Sequence, residues 1–125
     1  MSRLFLILGA INGFLTVALG AFGAHAIRGQ VSDYHYDVFQ TAVQYQGLHA
    51  IALLAVGLLA LHLDSRWLKR AGWSFFAGIV LFSGSLYLLA TVGARPLGMI
   101  TPIGGLAFLA GWGGLLIAAW QFNKR

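Results

Sequence analysis

The sequence contains no cysteine. That excludes disulfides, thiolate metal sites and cysteine nucleophiles, and it leaves the redox compartment undetermined. Charge is scarce too: charged residues make up 9% of the 125-residue chain, where a soluble domain carries about a quarter. The acids are Asp33, Asp37 and Asp64, and each lies at the edge of an apolar stretch. A serine–histidine site inside those stretches therefore lacks an acid to orient its base, and the chain reads as non-enzymatic. The net charge of +5 does not point to nucleic acid. No basic run with interleaved aromatics occurs, and the cations stand at the ends of apolar stretches, where they set topology and meet anionic lipid.

What the chain does have is apolar length. Hydrophobic residues make up 59% of it and the mean hydropathy is +0.81. It reads as an all-α integral membrane four-helix bundle, a single transmembrane domain over residues 1–125. The expected spans are about residues 4–24, 39–63, 71–93 and 102–121. The second helix begins somewhere between Asp33 and Phe39, with Ser32 or Asp33 as its cap. Thr101-Pro102 marks the start of the fourth, Thr as cap and Pro at the first helical position. Pro96 and Gly98 are expected to keep the preceding loop non-helical.

Four spans put both termini on the side of the loop between spans two and three. That side carries Arg3, Arg66, Lys69, Arg70, Lys124 and Arg125, and the other carries Arg28 and Arg95. By the positive-inside rule both termini are cytoplasmic, in a multi-pass protein of the cell inner (plasma) membrane. Trp67, Trp73 and Trp120 fall at the cytoplasmic ends, and Tyr34 and Tyr36 at the outer interface, where aromatic rings settle. Ala24-His25-Ala26 has the form of a signal-peptide cleavage site. The apolar run before it is too long for a signal core of roughly 7–15 residues, so the first span is expected to stay.

Lipid supplies no hydrophobic drive for helices to associate, so small residues must let them approach. Gly9, Gly13, Gly20 and Ala24 line one face of the first span, and Gly104, Ala107, Gly111, Gly114 and Ala118 one face of the fourth. Packing within one bundle and a homo-oligomer interface both fit these faces. A faint echo links Gly23-Ala24 and Arg28-Gly29 with Gly93-Ala94, Arg95 and Gly98. The rest of the two halves matches poorly, and the echo is read as coincidence.

Polar groups at membrane depth are costly unless paired, so they are where function is sought. His49 lies well inside the second span, with Thr41 and Tyr45 on nearly the same face and Gln46 close by. Ser83, Ser85 and Tyr87 come from "FSGSLYL", Asn12 and His25 from the first span, and Thr101 opens the fourth. Interhelical hydrogen bonding is the plain account of such residues. The sharper account is an outer-side ligand pocket made by His25, Tyr45, Gln46, His49, Ser83, Ser85, Tyr87, Arg95 and Thr101, with His25 and His49 lining it together. A headgroup or anion also suits the outward N-termini of helices two and four beside Arg28 and Arg95. A haem or metal would need two facing ligands. His25 and His49 are the candidate pair, at different depths, and no metal or cofactor is expected.

The segments "GAFGAHAIR", "FQTAVQYQGLHAIALL", "FSGSLYLLA" and "GMITPIGGLAFLAGW" follow one another as in the YgdD/YwdK-like small bacterial inner-membrane proteins, a family classed as a domain of unknown function. The chain resembles that family over nearly its whole length. The resemblance implies four transmembrane helices and no established activity. It marks Gly23, Ala24, His25, Tyr45, Gln46, His49, Ser83, Gly84, Ser85, Tyr87, Thr101, Pro102, Gly104 and Gly105 without assigning them roles. Two functional expectations follow. One is a non-enzymatic membrane protein whose polar pocket binds a lipid headgroup, small ligand or partner helix. The other is a small homo-oligomeric transporter or channel component, suggested by the glycine faces.

Overall fold

The computed structural model describes residues 1–93 and 95–122. Ala94 of the internal echo, and Lys124 and Arg125 of the charge count, lie outside the described residues. Helix α1 runs Ser2–Phe22 and continues through a π-helical turn, Gly23–Ile27; α2 runs Asp33–Leu59. Helix α3, Arg66–Gly78, passes through a second π turn, Ile79–Ser83, into α4, Gly84–Val92, as one rod. A short 3-10 helix, Arg95–Met99, leads into α5, Thr101–Gln121. No strand occurs among the described residues. Four helical segments are long and apolar enough to cross a membrane, and the fold is an all-α membrane four-helix bundle.

The helix ends follow local chemistry. Ser32 caps α2, its Oγ accepting from the His35 N–H at 3.1 Å, and Ser65 caps α3 in the same way through Leu68 at 3.3 Å. Gly93 closes α4 in the left-handed conformation (φ 70°) that a side chain disfavours. Two expectations change here. Thr101 is the first helical residue of α5 and makes no cap hydrogen bond; its hydroxyl serves α4 instead. The loop before it is not irregular but a 3-10 turn, since a proline near a helix start forfeits no hydrogen bond that the turn requires.

Helix α2 is the centre. Helix α1 packs along it, α4 and α3 flank it, and α5 packs along α3 and the second π turn. The glycines explain how closely. A Cβ at Gly9 would strike Leu54, one at Gly57 would strike Leu6, and one at Gly72 would strike the Phe5 ring. A Cβ at Gly111 would meet Phe75, and one at Gly104 would enter the backbone of Phe82 in the π turn. The small faces of α1 and α5 are thus largely used inside the bundle. Gly13 differs, having open space where its Cβ would stand. Only Phe5, Gly9 and Asn12 of α1 are buried, so α1 is the most exposed helix and leaves a gap between itself and the α3–α4 rod.

Candidate ligand site

Along α2, Ala42, Gln46, His49, Leu53 and Val56 recur at three- and four-residue intervals and are all buried. One face of the central helix therefore carries both core and polar groups, and each polar group meets a different neighbour. The result is not one pocket but several small constellations.

The first is centred on His49, which is 3% exposed. Its Nδ1 lies 2.7 Å from the carbonyl oxygen of Tyr45, and the Trp112 Nε1–H of α5 donates to its Nε2 at 3.0 Å. A carbonyl only accepts and an indole only donates, so the ring is the neutral tautomer with its proton on Nδ1. It stacks on Phe108 at 3.6 Å and 7°, with Phe75 tilted against it at 5.6 Å. Tyr45 stacks on Phe82 at 4.7 Å. Both ring nitrogens of His49 are spent, which leaves no lone pair for a metal and no position for a water bridge to His25.

His25 stands elsewhere. It is exposed, in the last turn of the first span, and its side chain makes no hydrogen bond to any described residue. A basic group there suits the negative end of the helix dipole. Arg95 is likewise exposed, in the 3-10 turn. Arg28 lies over the Tyr36 ring at 5.8 Å, which gives an outlying cation a local partner. The structure therefore does not bring His25 or Arg95 to His49. Among the described residues no group of three or more His, Cys, Asp or Glu side chains comes together.

The second constellation joins three helices. The Tyr87 hydroxyl of α4 donates to Gln46 Oε1 at 2.6 Å, Gln46 Nε2 donates to Asn12 Oδ1 at 3.0 Å, and Asn12 Nδ2 donates to the Leu8 carbonyl at 2.8 Å. Ser83 Oγ donates to the Ala42 carbonyl at 2.9 Å nearby. Asn12, Gln46, Ser83 and Tyr87 form the floor of the gap beside α1, a groove of about 470 Å³. Its walls are Leu8, Ile11, Leu15 and Leu19 on one side and Phe76, Ile79 and Val80 on the other. The third constellation closes the start of α5. Ser85 Oγ donates to the Phe82 carbonyl at 2.9 Å, and it lies 2.6 Å from Thr101 Oγ1.

Comparison with known proteins matches residues 19–105 to the family model described as a protein of unknown function, DUF423. The UPF0382 membrane protein YwdK of Bacillus subtilis is 48% identical over 121 residues, covering 96% of this chain and 98% of that protein. The chain belongs to this family. A UPF0382 membrane protein of Staphylococcus aureus is 46% identical over 122 residues, covering 96% of this chain and 98% of its own. Another, of Staphylococcus haemolyticus, is 46% identical with the same coverage. No solved structure matches the chain. Within the UPF0382 family the protein is thus a multi-pass membrane protein of unknown function, as its four spans require.

Sequence reasoning missed one of the residues that matter and left another without its partner. Trp112 completes the His49 site and was identifiable in principle: it lies eleven residues into α5, far from the interfaces where tryptophan usually settles. Asn12 was visible as a polar residue in mid-span, but only the fold shows that it meets Gln46.

Proposed function

We propose that this UPF0382 protein is a non-enzymatic component of the plasma membrane that receives a lipid-soluble ligand or partner in the lateral groove beside α1. The observation that carries this is the Asn12–Gln46–Tyr87 network on the floor of that groove. Polar side chains commonly bridge membrane helices; here the bridge also borders a groove instead of being sealed between helices on every side. The pocket expected from sequence at the outer end is thereby read as a groove opening sideways into the bilayer. Gln46, Ser83 and Tyr87 are its members, and His49, Ser85 and Thr101 hold the bundle behind it. Both termini are assigned to the cytoplasm from Arg3, Arg66, Lys69 and Arg70, opposed by Arg28 and Arg95.

The test is lipid-resolved native mass spectrometry of the protein extracted from its membrane in mild detergent. A specific adduct lost on Leu15→Trp, which narrows the groove mouth, supports the reading. An adduct-free protein with an unchanged melting profile in that variant rejects it. The transporter or channel alternative draws on the glycine faces. Of those glycines, Gly9, Gly104 and Gly111 already pack against Leu54, Phe82 and Phe75, and Gly20 and Gly114 against Val43 and Trp67, so the same extraction, sized by light scattering, tests whether any oligomer forms at all.

A further inference from the structure

We propose that the groove selects a neutral lipophile carrying a carbonyl at mid-bilayer depth, of the isoprenoid quinone class, and that the amides of Asn12 and Gln46 donate to that carbonyl; this rests on the reading of the groove as a ligand site. The argument starts from valence. A primary amide has two N–H donors. Asn12 uses one on Leu8, and Gln46 uses one on Asn12. No described residue takes the second proton of either. Tyr87 gives its own proton to Gln46 and so offers only lone pairs. Asn12 is 5% and Gln46 4% exposed, and both line the groove. Hydrocarbon holds no water to satisfy these donors, so an occupant with an acceptor oxygen gains what an alkyl chain cannot.

Depth then narrows the chemistry. Asn12, to which Gln46 is bonded, stands ten residues from Ser2 and ten from Phe22, the two ends of α1, which places both amides near the middle of the bilayer. Phospholipid ester carbonyls lie at the edge of a hydrocarbon core about 30 Å thick, roughly 15 Å away, and their phosphates lie farther out. A fatty-acid carboxylate would carry charge to the costliest depth. A quinone ring is neutral, flat and carries carbonyls, and it partitions with its isoprenoid chain into hydrocarbon. The groove matches that shape. Phe76 in one wall and Tyr87 on the floor offer aromatic faces for a ring, and the leucine and isoleucine wall runs from Leu8 to Leu19, about 17 Å of helix, for one chain. Its volume, about 470 Å³, lies in the usual range for small-ligand sites.

The experiment uses the full chain in lipid nanodiscs, titrated with a short-chain menaquinone and, separately, with an alkylnaphthalene of equal length that lacks carbonyls. Binding is read by quenching of tryptophan fluorescence and checked by native mass spectrometry. The expected result is quinone binding at least tenfold tighter than the hydrocarbon, with that preference lost in Asn12→Leu/Gln46→Leu. Leu15→Trp keeps both amides, so it should lose binding of both probes while its helical signal and melting temperature are unchanged; this guards against misfolding of the double variant. Equal affinity for the two probes, insensitive to the amides but lost in Leu15→Trp, overturns the quinone inference and leaves the groove reading standing. Binding of neither probe, with a stable dimer cross-linked through position 15, overturns the ligand reading and makes a second copy the occupant.

Discussion

Trp112→Phe isolates the contact on which the central helix depends. The substitution keeps an aromatic ring against Phe75, which lies 5.0 Å from the indole, and removes the N–H that reaches His49 Nε2. That nitrogen is then a buried acceptor with no partner: the ring is 3% exposed, and its other nitrogen is committed to Tyr45. Interhelical hydrogen bonds in membranes average about 0.6 kcal/mol and reach about 1.7, while orphaning a buried polar atom costs roughly 1–3 kcal/mol. A loss of about 1–2 kcal/mol is expected, measured by reversible SDS titration in mixed micelles with circular dichroism. His49→Phe supplies the control, since it retains a flat ring on Phe108. In that background Trp112→Phe should cost only the lost indole volume, giving a coupling of about 1 kcal/mol in the double-mutant cycle. A coupling within about 0.3 kcal/mol of zero would refute the reasoning, because the hydrogen bond would then not be what holds α5 to α2.

Gly104→Ala should destabilise by roughly 1–3 kcal/mol in the same titration, since its Cβ meets the Phe82 backbone, which cannot swing aside. Gly13→Ala, facing open space, should be neutral or stabilising by up to about 1 kcal/mol through helix propensity; a large loss there would point instead to an intermolecular contact at α1. Gln46→Leu strands both Asn12 Oδ1 and the Tyr87 hydroxyl and should cost about 1–2 kcal/mol, more than Tyr87→Phe, which strands only Gln46 Oε1. His25→Ala should change stability by less than about 0.5 kcal/mol, as an exposed residue in a last helical turn contributes little beyond a dipole interaction. A reporter fused to the C-terminus should be active only in the cytoplasmic form, and reversed reporter activity would overturn the assigned topology.

Much of the architecture was legible because a membrane simplifies the problem. Long apolar runs must be helices there, and Ser32 marked the start of α2 through its own capping chemistry. The small faces at Gly9 and Gly104 were legible as packing surfaces, though not their partners, Leu54 and Phe82. The candidate site was legible only as a list. Periodicity puts Tyr45, Gln46 and His49 on one half of α2, yet adjacent positions on a helix face different neighbours. Gln46 turns toward α1 and α4, whereas His49 turns toward α3 and α5. No single-helix pattern contains that division, because it depends on α2 being surrounded. His25 misled for a related reason: histidine beside small residues at a span end has the same sequence appearance whether it lines a pocket or faces the interface.

The division on α2 also bears on where a ligand can act. On the α5 side both ring nitrogens of His49 are matched by one geometry, with Trp112 donating and Tyr45 accepting, and the ring is stacked on Phe108. Such a site gains nothing from a ligand and loses two hydrogen bonds to admit one. On the α1 side the chain of donors runs from Tyr87 to Gln46 to Asn12 to Leu8. It ends with an N–H to spare on each amide, beside a helix with few buried residues of its own. Ligand binding is cheapest where matching is incomplete and the site opens toward lipid. The α1 side meets both conditions, so substitutions there should alter what the protein binds, whereas substitutions around His49 should alter chiefly whether it stays folded.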